Sequence, residues 1–221
     1  MALPDILDPL ADFPGWTTSF ELLWRQEQSR TAGGVTLVKD FGTPLWQGAW
    51  QSKSLSPNEL DAWRARLDAL ENGLKTFKGY PLSRCYPIAY PKGSWPTGGS
   101  FNGRTATVYA VGAGNKSLRV DLLPAGFQLR IGDMLQVTHG VSPVRYDLYR
   151  VQEAATATAG GITPEFEVRP HLWPGVAVDN LVSVYRPFCL MAIVPGSIAS
   201  QADPQTGRGN VSFQAIEARD L

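Results

Sequence analysis

Two histidines, two cysteines and two glycine-rich turns are the places where chemistry would have to reside in this chain of 221 residues. Gly112-Ala113-Gly114-Asn115-Lys116-Ser117 sets a lysine and a hydroxyl behind a glycine turn, as a phosphate-holding loop does. It lacks a glycine directly before the lysine, and the stretch after it alternates like a strand. A phosphate cradle needs backbone N–H groups leading into a helix N-terminus, so the segment reads as a hairpin turn. Gly98-Gly99-Ser100-Phe101-Asn102-Gly103 comes near to a Gly-x-Ser-x-Gly nucleophile elbow. Position 102 holds Asn where that motif needs glycine, and no strand-to-helix context surrounds it. His139 lies beside Gly140, and His171 sits between Pro170 and Pro174, so each reads as a loop or structural residue rather than a triad base. Cys85 and Cys189 match no metal spacing, and neither histidine has a neighbouring cluster of ligands. Two buried thiols in a reducing compartment are the expected state, with a disulfide as the alternative. The carboxylates, Asp133 and Asp147 among them, are scattered singly. The sequence therefore assigns no catalytic, cofactor-binding or metal-binding residue.

Twenty acidic and twenty basic residues cancel, which argues against a domain built mainly to bind nucleic acid or an anionic membrane. Candidate barrel aromatics (Tyr109, Phe127, Tyr146, Tyr149, Phe166) are interleaved with few basic residues, so oligonucleotide binding is not the expected task. The N-terminus shows no basic region followed by an apolar run, and no apolar stretch approaches the roughly 20 residues of a membrane span. A soluble protein made in the cytoplasm is the expectation.

One segment is clearly helical in its spacing, Ser56 to Phe77. Ser56 and Glu59 have the spacing of a capping box and Pro57 suits the first helical position. Leu60, Trp63, Leu67, Leu70 and Leu74 follow at steps of three and four and predict one apolar face. Arg64/Asp68 and Glu71/Lys75 have i,i+4 spacing. An isolated helix of this length is marginal in water, so the face must dock on the strands that make up most of the chain. Thr17–Trp24, Val35–Val38 and Leu45–Gln51 read as strands, the last with Gly48 between Trp46 and Trp50, a sign of close packing. Arg25–Gly34 reads as a polar loop and residues 1–16 as an extended arm. After a glycine-rich break at residues 93–103 come short strands at close spacing, predicting an antiparallel barrel of about five strands, OB-like, over 104–185. A final alternating stretch, Val211–Ala218, is left over and is expected to return to the first sheet. The reading is mainly β: a β-sandwich with one packed helix from residues 1–100 and 186–221, and an inserted small barrel at 104–185.

The order of these elements resembles the distal tail protein family of long-tailed bacteriophages. The residues that carry the resemblance are Trp46-Gln-Gly-Ala-Trp50 leading into the capped helix, and Ala125-Gly-Phe-Gln-Leu-Arg-Ile-Gly-Asp133. Tyr146-Asp-Leu-Tyr-Arg-Val151, Glu167-Val-Arg-Pro-His-Leu172, Arg186-Pro-Phe-Cys-Leu-Met191 and Val211–Ala218 complete it. The resemblance implies a structural virion protein without catalytic residues or cofactors, assembled in the host cytoplasm and resident at the tail tip. It implies a homo-hexameric ring between the tail tube protein and the hub or baseplate protein, with no membrane and no specific nucleic-acid partner, although DNA passes through such a ring.

Two other functions compete with that one. Trp95 and Trp173, each in a Pro/Gly loop, are candidate interface residues or stacking platforms of a carbohydrate- or host-surface-binding module. An unrecognised hydrolase is the third. Phe13, Trp16, Trp95, Trp173 and Phe188 together make more large apolar side chains at loops and ends than a helix-on-sheet core and a small barrel absorb, which points to subunit contacts.

Overall fold

The computed structural model describes residues 7–96 and 101–219. In chain order the first unit holds β1 (Gly15–Leu23), β2 (Gln26–Arg30), β3 (Thr36–Asp40), β4 (Leu45–Ser52), the helix α1 (Pro57–Asp68) and β5 (Phe77–Gly79). The barrel region follows with β6 (Ala106–Val111), β7 (Ser117–Asp121), β8 (Gln128–Leu129), β9 (Met134–His139), β10 (Arg145–Val151), β11 (Ala155–Thr156), β12 (Phe166–Arg169) and β13 (Leu181–Ser183). The chain ends with β14 (Cys189–Ile193), β15 (Ala199–Ala202) and β16 (Gly209–Glu217). The fold is mainly β, with one α-helix and one small closed barrel.

β1, β4, β16, β14 and β5 form a sheet in that spatial order, with β15 also paired to β16. Strands from both ends of the chain thus share one sheet, while every barrel strand lies between them in sequence. The pairings Trp50↔Phe213 and Gly48↔Ala215 put Trp46, Gly48 and Trp50 on the same face as Phe213 and Ala215, because side chains alternate along a strand. All five are buried. A Cβ at Gly48 would lie 2.1 Å from the Trp50 indole. The element packed closely at this glycine is therefore the neighbouring tryptophan itself, folded back along its own strand.

α1 covers this face around Trp50 with Leu60, Trp63 and Leu67, and Leu70 just past its end is buried in the same core. At its start the N–H and hydroxyl of Ser56 both donate to Glu59 Oε2, at 2.9 and 2.8 Å. These bonds hold the Glu59 carboxyl below its ordinary range. The helix is shorter than its periodicity predicts. It ends at Asp68, and Glu71 and Asn72 then take left-handed backbone, each with φ of 51°. Gly73 follows at φ 100°, with its backbone so near β14 that a Cβ would lie 2.4 Å from the Ile193 carbonyl oxygen. Passing under β14 forces this turn, so Leu74 leaves the core face and is 78% exposed. The ion pairs differ likewise: Arg64 bonds Asp61 and Ser200 rather than Asp68, whereas Glu71 and Lys75 do meet, at 2.6 Å.

The barrel closes in the order β10-β12-β7-β6-β13-β9 with every pairing antiparallel, six strands where about five are expected from the spacing. β10 meets β12 only at Arg150↔Arg169 and Val151↔Val168, and the chain between them diverts through β11 to pair with β8. Val108, Leu118, Val137, Tyr149, Phe166 and Val182 are fully buried in the barrel's core.

Met134 and Leu148, from β9 and β10, belong to the core of the sheet rather than to that of the barrel. The layer facing the sheet is therefore α1 at one end and the barrel wall at the other. The sandwich expected from residues 1–100 and 186–221 is not formed: among the described residues those segments make one packed sheet and the β2–β3 ribbon, and the sheet is covered by α1 and the barrel wall instead of by a second sheet of their own.

A stretch expected to be a polar loop instead contains β2. It pairs with β3 over Gln26↔Asp40 to Arg30↔Thr36, and all ten strand residues are exposed. This ribbon is the tip of the long hairpin whose base is β1 and β4.

Candidate functional site

Where the barrel meets the sheet, charged groups are buried together. Asp147 on β10 shares strand parity with Tyr149 and Val151, and Glu217 on β16 shares it with Val211, Phe213 and Ala215. Alternation therefore sends both carboxylates inward, where an unpaired charge would be costly. Asp147 Oδ2 lies 2.8 Å from His139 Nε2 and accepts the Tyr149 hydroxyl at 3.2 Å. Its Oδ1 lies 2.9 Å from the Arg219 guanidinium, which also bonds Glu217 Oε1 at 3.1 Å. Glu217 Oε2 accepts the backbone N–H of Trp46 at 3.0 Å, and the Trp46 indole N–H donates to the Leu148 carbonyl at 2.7 Å. Arg219 lies 3.6 Å over the Trp173 ring. The Trp173 N–H donates to the Tyr149 hydroxyl.

The electrostatics follow from this burial. Desolvation pushes the Glu217 carboxyl above its ordinary value, against the lowering effect of the Trp46 N–H and Arg219. Desolvation likewise raises the Tyr149 phenol, with the charge of Asp147 adding to it. Asp133, which anchors the barrel to the preceding segment by accepting the Ile88 N–H at 2.7 Å, is also raised by burial. The seam is a clamp: its bonds run from β10 of the barrel to β4 and the end of β16.

His139 and Asp147 have the base-and-orienter geometry of half a catalytic triad, yet the arrangement is closed. The histidine is 6% exposed and its Nε2 is used by Asp147. Its other nitrogen, Nδ1, faces the backbone of Gly175, where a Cβ would lie 3.0 Å away. A cavity of about 320 Å³ beside the clamp is lined by Thr76, Arg145, Tyr146, Asp147, Glu217 and Arg219, among others. His171 lies on the barrel far in sequence from this pair, with its pKa lowered by partial burial and by Arg169 and Lys116.

The other residues singled out by sequence fare as follows. Gly112–Ser117 is the β6–β7 turn, with Gly114 at φ 75° and a strand after it. Residues 97–100 of the glycine-rich near-elbow, including Gly98, Gly99 and Ser100, lie outside the described residues. Both cysteines are free thiols, and burial raises the pKa of each. Among the described residues no group of three or more His, Cys, Asp or Glu could hold a metal ion. No helix among them is long and apolar enough to cross a membrane.

Trp95 and Trp173 lie in loops, as their Pro/Gly surroundings suggest, and are half-buried against the fold. Trp95 lies against Tyr90, Phe101 and Phe127, and Trp173 lies beneath Arg219. Phe13 is buried edge-on to Trp63, with ring centroids 5.2 Å apart. Of the five aromatics read as surplus to the core only Trp16 is largely exposed, at 79%. Further exposed apolar residues that the sequence reading did not single out for contact gather along the same long hairpin: Trp24, Val35, Leu37, Val38 and Phe41. The strand period places Val35, Leu37 and Phe41 on one face of the ribbon. No family model and no curated protein matches this chain.

Proposed function

We propose that this chain is a structural subunit of a bacteriophage tail tip. In this reading it forms a closed ring, of six copies, that joins the distal end of the tail tube to the hub or baseplate and catalyses nothing. The observation that carries the reading is the β2–β3 ribbon. A two-stranded hairpin is at best marginally stable in water, and this one leaves Val35, Leu37 and Phe41 exposed on one face. Such a surface suits burial against another protein subunit, and a ring requires a head-to-tail interface whose rotation closes. The resemblance of the sequence to distal tail proteins supplies the assembly, and the virion tail tip is the corresponding location. The closed His139–Asp147 pair favours a structural task over a hydrolytic one. A glycan-binding module loses its two stacking candidates, since Trp95 and Trp173 are engaged within the fold.

Electron microscopy of the assembled particle tests the reading. The chain is expected in a rotationally closed ring at the tail tip, and its absence there, or an open arrangement, overturns the proposal. Leu37→Asp together with Phe41→Asp should leave the circular-dichroism spectrum unchanged while the chain no longer incorporates into particles.

A further inference from the structure

We propose that a second cleft between the two units, on the side of β5 and β13, is a binding site for a phosphate group. Its cavity of about 230 Å³ is lined by Lys78 from β5, Arg104 before β6, and Arg186 from the β13–β14 connection. No carboxylate is among its lining residues, and none of the three cations makes an ion pair among the described residues. In a chain with equal numbers of acidic and basic residues, three unpaired cations around one cavity are a local excess that folding does not require.

The cations are held in place by rings rather than by acids. The Arg104 guanidinium lies 4.4 Å from the centroid of Tyr185, and Lys78 Nζ lies 5.1 Å from that of Phe188. Such stacking orients a positive group without neutralising it. Arg186 reaches its place from left-handed backbone, at φ 43°, a conformation uncommon for a residue with a side chain and enriched at functional positions. The floor is polar and buried. Gln136 is 4% exposed; its amide oxygen accepts the Phe188 N–H and its amide nitrogen donates to Thr138. Thr138 and Ser183 add hydroxyls to the same cavity.

Charge selects the ligand class. A carboxylate carries one negative charge and would leave two of the three cations uncompensated. A phosphate dianion matches the excess better, as do successive phosphodiesters of one strand, and either presents several acceptor oxygens to donors arriving from three elements. The phosphate could be free or part of a nucleic-acid backbone. This inference does not depend on the tail-tip reading, because it rests on the cleft alone.

Isothermal titration of the full chain with inorganic phosphate, and fluorescence anisotropy with a labelled single-stranded oligonucleotide, form the two arms. Binding in either arm is expected to weaken at least tenfold in Lys78→Met and in Arg186→Met, and with added sodium chloride. Arg104→Lys should retain most of it and Arg104→Met should lose it. Lys53→Met, an exposed lysine elsewhere, should change nothing. Binding of free phosphate identifies the isolated anion as sufficient, and binding of the oligonucleotide alone identifies the backbone as the source. Arg104 is exposed, so its variants carry the test if either of the other two fails to fold. No binding in either arm, or binding indifferent to all three cations, overturns the proposal.

Discussion

One face of one sheet is closed in two chemically different ways. Around Trp50 the cover is apolar: Phe213 stacks on Trp50 with centroids 5.2 Å apart, Phe13 stands edge-on to Trp63, and Leu60 and Leu67 fill the remainder. Around Trp46 it is polar, with the indole N–H on Leu148, the backbone N–H on Glu217, and Arg219 bridging Glu217 to Asp147. Apolar burial is non-directional and tolerates volume-conserving rearrangement. Buried hydrogen-bonded charges add little net stability, but leaving any one of them unpaired is costly, so they admit only one placement of the partner. Area holds the helix on the sheet, whereas hydrogen-bond geometry sets where the barrel attaches.

The contrast can be broken most strongly at the seam. Arg219→Met leaves Asp147 and Glu217 buried without their cation and should cost about 3–5 kcal/mol in denaturant unfolding. A loss below about 1 kcal/mol would show that water already serves those carboxylates. At the apolar end Leu67→Ala should open a cavity and cost roughly 2–5 kcal/mol, while Leu67→Met should be nearly silent. If Leu67→Met proved as damaging as the alanine variant, the helix would be held by shape rather than by area.

A smaller effect separates the two ends by pH. The folded-state pKa of Glu217 lies above its ordinary value of 4.5 because burial disfavours the charged form. Between those two values the folded chain binds more protons than the unfolded one, so this group's contribution to stability falls as pH rises. Asp133 acts with the same sign. Unfolding midpoints measured from about pH 4 to pH 8 should therefore decline less steeply in Glu217→Gln than in the parent, and Leu67→Ala should leave the slope alone. An unchanged slope in the glutamine variant would remove Glu217 from the account. Smallest of all, Leu74→Ala should change stability by no more than about 0.5 kcal/mol, since that side chain is exposed. A core-sized loss there would restore Leu74 to the helix face.

The sequence by itself determined the local periodicities. Steps of three and four from Leu60 to Leu70, alternation through Trp46 and Trp50 and again through Val211 and Phe213, and glycine turns between short strands are read within one element at a time. They are enough to specify a mainly β chain with one helix and a small barrel, and strand parity with Tyr149 and Phe213 is enough to send Asp147 and Glu217 inward. Tertiary structure decided what depends on distant segments meeting. Asn72-Gly73 is a local stop signal that the apolar spacing alone runs past, and what holds the turn there is the approach of Gly73 to the Ile193 carbonyl. His139 meets Asp147 within the β9–β10 pair, but Arg219 joins them only because β10 is laid against the end of β16. Lys78, Arg104 and Arg186 share a cleft only because the barrel docks beside β5. Side-chain period is a property of the backbone and is written locally. Partnership between charges is a property of packing, and it exists only once the two units have closed on each other.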